Sequence, residues 1–138
     1  MEPRLSFVTL VVRDLGVSRD FYVRGLGWPA ELDVPGEVLM IRVGEKLVLS
    51  LWQEDDAVTE LGPIHRAEGA ALPFTLAHNV ETPQDVDRVL AQAVEAGASV
   101  AATPVERDWG GYTGYFADPD GFRWEVAYNP GPIGQSVL

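Results

Sequence analysis

The 138-residue chain repeats one hydrophobic pattern twice, and that repeat restricts its fold more than any single motif. Leu5 to Val12 (LSFVTLVV) is apolar and β-branched, as a strand requires. Asp14 follows as the N-cap of a helix from Leu15 to Leu26, with Val17 and Phe21 on one face. Gly25 and Gly27 stop that helix. Trp28-Pro29 then turns the chain into three extended pieces, Ala30 to Val34, Val38 to Val43 and Lys46 to Gln53. The second half runs in the same order. Pro73 to Val80 is a strand, and Thr82-Pro83 opens a helix to Ala96 whose apolar stripe is Val86, Val89, Leu90, Ala93 and Val94. Gly97 ends it, and Ala98 to Ala102, Gly111 to Ala117 and Phe122 to Tyr128 are three further strands. Asp118-Pro119-Asp120-Gly121 suits a tight turn between the last two.

Strand, helix and three strands, twice over, predict an α+β chain of two βαβββ modules, about 5–53 and 73–130, within one domain spanning 1–138. The pattern alone equally describes a duplicated ferredoxin-like domain. The polar, acidic stretch 54–72, with Gly62-Pro63, reads as a connector, and the tail 131–138 is too short and irregular to assign. An apolar content of 46% against 22% charged residues is the balance of a globular protein. No apolar run reaches the roughly 20 residues of a membrane span, and Met1-Glu2-Pro3-Arg4 lacks a signal-peptide pattern, so a cytoplasmic protein without membrane contact is expected. The absence of cysteine excludes disulfides, thiolate nucleophiles and thiolate metal sites. A formal charge of −11 argues against nucleic acid; it either draws a cationic ligand or simply keeps the surface soluble.

Two segments carry a resemblance. VVRDLGVSRDFYVRGLGW resembles the opening strand-helix signature of the vicinal oxygen chelate superfamily, and YFADPDGFRWEVAYNP resembles its closing hairpin. That superfamily includes glyoxalase I, bleomycin resistance proteins, fosfomycin resistance enzymes and extradiol dioxygenases, and the likeness covers Leu5 to Pro130. It implies two βαβββ modules whose curved sheets form an open barrel around a shared concave cavity, a small organic ligand and a homodimer. In metal-dependent members each module gives two metal ligands, from its first and last strands. The matching positions here hold Phe7, Ser50, Thr75 and Glu125. One carboxylate is short of the three or more protein ligands a divalent cation needs, so no metal and no other cofactor is expected.

Strand alternation says which side chains share that cavity. With Phe7 and Thr75 facing inward, Thr9, Ser50, Trp52, Asn79, Arg123 and Glu125 face inward too, a lining that suits a small organic ligand. Glu125 either pairs with Arg123, two residues earlier on the same face, or acts on the ligand as an acid or base. His78 shares parity with Phe74, Leu76 and Val80, which points it toward the helix as a core histidine. Together with His65 and Glu125 it makes a two-His, one-carboxylate set only if a β-bulge turns it round. Trp109-Gly110-Gly111-Tyr112 either lets backbone approach a ligand at the cavity rim or forms a tight turn whose aromatics cover the barrel end. Two functions follow. One is a metal-independent binding protein that sequesters an antibiotic or metabolite. The other is a lyase, isomerase or dioxygenase similar to glyoxalase I, with a remodelled site that uses Glu125. A partner protein that binds nothing small is the third.

Overall fold

In the first half, Leu10 and Val12 alternate with Thr9 and Val11, and Leu39, Ile41, Leu49 and Leu51 take the same parity on later strands, so one sheet face is apolar and must be covered. In the computed structural model, which describes residues 1–66 and 71–138, a helix covers it. The chain divides into two compact units, Met1–Arg66 and Ala67–Leu138. In the first, β1 (Phe7–Val12), β2 (Ala30–Val34), β3 (Val38–Gly44) and β4 (Leu47–Gln53) form a sheet in the order β1-β4-β3-β2. β1 runs parallel to β4 and the other pairs are antiparallel. A parallel pair needs a crossover, which starts with α1 (Leu15–Arg19). The Asp14 carboxylate accepts the Gly16 and Val17 amides and caps α1, as its position predicts. The helix then widens into a π-helical turn, Asp20–Gly25, where the Leu26 amide donates to the Phe21 carbonyl.

Leu15, Phe21 and Tyr22 meet Leu10, Val12, Leu39, Ile41, Leu49 and Leu51 in a core where none is more than 2% exposed. Each such side chain is worth about 1.5–3 kcal/mol over leaving it in water, whereas an exposed helical ion pair such as Arg24 with Asp20 contributes about 0.3–0.5 kcal/mol. Apolar burial therefore sets how helix and sheet sit. The stretch expected to be a connector begins with a helix, α2 (Glu54–Leu61). Its acidic residues Glu54, Asp55 and Asp56 occupy the first turn, where the helix dipole favours negative charge. Arg66 ties it down, donating to Glu54 at 2.7 Å and to the Val11 carbonyl of β1 at 2.6 Å. Residues 67–70 of that stretch lie outside the described residues.

The second unit repeats the plan: β5 (Leu76–Val80), α3 (Pro83–Glu95), β6 (Ser99–Glu106), β7 (Tyr112–Ala117) and β8 (Arg123–Tyr128), in sheet order β5-β8-β7-β6. β5 is parallel to β8, and β8 to β7 and β7 to β6 are antiparallel. The Thr82 hydroxyl accepts the Asp85 amide to cap α3, and Gly97 leaves the helix at φ +113°. Val86, Leu90 and Ala93 of α3 are buried, as are Phe116, Trp124 and Val126 of the sheet. β6 runs four residues beyond the expected Ala102. Proline lacks the N–H of an interior strand, but β6 is an edge strand with irregular register from Val100 to Val105, and both features tolerate Pro104. The tail forms a short helix, α4 (Pro132–Gln135), whose Gln135 amide donates to the Asn129 carbonyl.

The architecture is α+β, two four-stranded mixed sheets with helices, and neither sheet closes into a barrel. Among the described residues no helix is long and apolar enough to cross a membrane. Gly114 lies where β7 meets α3 and β6; a Cβ there falls 2.5 Å from Leu90 Cδ1 and 3.2 Å from the Pro104 backbone. Gly114→Ala is expected to lower stability by about 1–3 kcal/mol in urea denaturation, because one neighbour is main chain and cannot rotate away. An unchanged midpoint would contradict that packing.

Candidate functional site

The face of β5–β8 turned away from α3 holds Glu125. β8 is an inner strand, flanked by β5 and β7, and register sets Glu125 between Ala77 and Tyr115. The Tyr115 hydroxyl donates to Glu125 Oε1 at 2.6 Å. Burial first, then the hydrogen bond and the carboxylate's charge, raises the Tyr115 pKa above its ordinary 10.0, so the hydroxyl keeps its proton and serves as donor. Beside it, Arg107 Nε donates to Thr113 Oγ1 at 2.7 Å. The expected Arg123–Glu125 pair does not form. Residues i and i+2 on one strand stand about 6.5–7 Å apart, while directly opposed cross-strand residues have Cβ atoms about 4.5–5.5 Å apart, so Tyr115 reaches the carboxylate more easily than Arg123 does.

Arg123 instead borders a hollow of about 440 Å³ with Leu72, Phe74, Thr75, Ala102 and Tyr115. Thr75 Oγ1 donates to the Arg123 carbonyl at 3.0 Å, linking the approach to β5 with β8. Phe74 precedes β5, so strand alternation does not govern it; its ring packs on Phe122 at 6.1 Å between centroids. Asn79 is on the Glu125 face, and its amide reaches the Gly134 carbonyl of α4 at 3.4 Å.

The first unit presents Phe7, Thr9, Ser50 and Trp52 together on one sheet face. Thr9 sits beside Ser50, and Val11 beside Trp52. Phe7 is exposed and Ser50 buried. Two further aromatics flank the start of β7. The Trp109 ring lies over Gly111, filling the space a Cβ would need at 1.8 Å, so at that glycine it is the indole that approaches the backbone. Gly110, at φ +89°, and the Arg107–Gly111 hydrogen bonds make this a turn. Tyr112 donates to Asp87 of α3 at 3.0 Å, on the face opposite Glu125. His78 faces α3, as its parity requires, but it is exposed and not a core residue. Desolvation, then the Arg88 charge, lowers its pKa.

A family model, the Glyoxalase/Bleomycin resistance protein/Dioxygenase superfamily, matches residues 4–126. The chain belongs to this superfamily. Among solved structures it is similar to a glyoxalase-related enzyme from Fulvimarina pelagi, with 30% identity, a TM-score of 0.82, and coverage of 94% of this chain and 90% of that one. It shares the fold of a glyoxalase/bleomycin resistance protein/dioxygenase from Nocardioides (24% identity, TM-score 0.76, 95% and 87% covered). It also shares that of a lactoylglutathione lyase from Agrobacterium tumefaciens (20%, 0.69, 93% and 95%). No functionally curated protein matches the sequence.

The superfamily's metal-dependent members set a test for the four corresponding positions, and a phenyl ring, two hydroxyls and one carboxylate do not fit a divalent cation. Among the described residues no three His, Asp or Glu side chains gather in a way that could hold a metal ion. Sequence reasoning missed Tyr115, Arg107 and Thr113. The first was within reach. Asp118 and Phe122 pair across a three-residue loop ended by Gly121 at φ +91°, which is a common hairpin, and counting back from it sets Tyr115 opposite Glu125.

Tyr115→Phe is expected to cost about 1 kcal/mol at neutral pH, the worth of one partly exposed hydrogen bond to a charged group. A raised pKa in the fold means stability that is present below 10.0 and lost as pH rises through the folded value. Above that pH the urea midpoint of the wild type should therefore fall more steeply than that of Tyr115→Phe. Parallel curves would mean that the contact does not persist in solution.

Proposed function

We propose that this member of the superfamily is a metal-independent, cytoplasmic small-molecule-binding protein, working as a homodimer and sequestering an antibiotic or metabolite. The observation that carries the proposal is the state of Glu125. It is the one acid at the four positions where metal-dependent relatives hold their ion, and the protonated Tyr115 hydroxyl is its partner. Thr75, Asn79 and Arg123 supply polar groups on its own sheet face, and the first unit's sheet carries Phe7, Thr9, Ser50 and Trp52 on one face. A mostly apolar lining with a few placed polar groups is what small ligands require. Trp109 stands at the turn before β7 as a rim residue, while Tyr112 is committed to Asp87.

One contact favours a second reading. A carboxylate oriented by a protonated phenol is a competent general base, so a lyase, isomerase or dioxygenase similar to glyoxalase I could run proton transfer through Glu125. Elemental analysis of protein purified without chelator, followed by titration with nickel, zinc, iron and manganese, separates the two. Less than a tenth of an equivalent of metal, with ligand binding unchanged by EDTA and no turnover, is expected. One equivalent of metal per chain, or an activity lost in Glu125→Gln, would overturn the binding-protein reading.

A further inference from the structure

The hollow beside β8 lies wholly within the second unit, and its chemistry selects for charge. Leu72, Phe74 and Ala102 make it apolar, and Arg123 is the one charged residue that lines it. Among the described residues the Arg123 side chain has no hydrogen bond or ion pair, which is notable in a chain with 21 acidic residues against 10 basic ones. The adjacent acid, Glu125, is turned to Tyr115. A guanidinium offers a planar fork of donors that matches a carboxylate. Glu125, one step further along the same face, repels a second negative group, and a hollow of about 440 Å³ is large enough for a ring-sized body.

We infer that this hollow binds an apolar monocarboxylate, its carboxylate on Arg123 and its aromatic or branched body against Phe74, Leu72 and Ala102. The inference rests on the small-molecule-binding reading and narrows the ligand from any organic compound to a monoanion. The long-range field of a chain at −11 opposes this ligand, so recognition depends on the local guanidinium and an added dicarboxylate charge is excluded. Phe74 packs against Phe122 at 6.1 Å between ring centroids, which leaves part of its ring open to a ligand body.

The test is calorimetric titration in EDTA with 3-phenylpropanoate, its amide and 3-phenylpropylamine, which share one body and carry negative, neutral and positive ends. The acid is expected to bind at least about tenfold more tightly than the amide, the gain of one charge-assisted hydrogen-bonded pair, and the amine more weakly still. Arg123→Gln should abolish the preference for acid over amide, Arg123→Lys should retain part of it, and Phe74→Ala should weaken acid and amide alike. Thermal melts establish that each variant is folded. Equal binding of acid and amide, a preference for the amine, no binding of the acid up to millimolar concentration, or an unchanged preference in Arg123→Gln would each overturn the inference. Tighter binding of amide or amine with no metal present leaves the metal-independent reading standing. Stoichiometric metal in protein that still prefers the acid removes that reading and leaves the Arg123 site.

Discussion

The parallel pairing of the first and last strand in each unit is the constraint on which the rest depends. β1 cannot reach β4, nor β5 reach β8, through a tight turn, so a helix crosses one face of each sheet and buries the side chains of one parity. The same pairing leaves the last strand inside the sheet. Trp124 and Val126 of β8 are committed to the core by α3, and Arg123 and Glu125, out of phase by one residue, are committed to the opposite face. A one-residue slip of β8 would bury both charges and expose the apolar pair, at a cost far beyond any gain in pairing.

The charges on that face are organised by hydrogen-bond reach more than by opposite sign. Glu125 takes a neutral donor from the neighbouring strand, while the cation two residues away on its own strand is left facing the hollow. An exposed ion pair between them would contribute about 0–1 kcal/mol, too little to hold two long side chains in one geometry against a short, directly opposed phenol. The result is a sheet face with a carboxylate oriented by a protonated hydroxyl and an arginine two residues along the same strand. That set does not supply the several hard ligands a divalent cation requires.

Local signals account for what was legible. The Asp14 and Thr82 caps, the glycine stop at Gly97 and the Asp118-to-Gly121 hairpin act through bonds to residues a few positions away, and each appears where the chain predicts it. The acidic opening of α2 misleads because negative charge is a loop signal in composition but a stabilising one at a helix N-terminus. β6 runs past Ala102 through Pro104 because it is an edge strand, where a missing N–H costs no ladder bond.

By itself the sequence determined the repeat, the α+β class, the side-chain parity of β1, β4, β5 and β8 and the family, because these depend on periodicity and on short motifs that act within a few residues. It also determined that three of the four positions corresponding to metal ligands carry no acid or histidine. Only the tertiary structure decided that Tyr115 and not Arg123 holds Glu125, that Trp109 closes over Gly111, that Tyr112 turns to Asp87 and that Arg123 borders an apolar hollow. Those contacts join residues on different strands and loops. Their formation rests on cross-strand register and side-chain reach, which a linear pattern of apolar and polar residues does not encode.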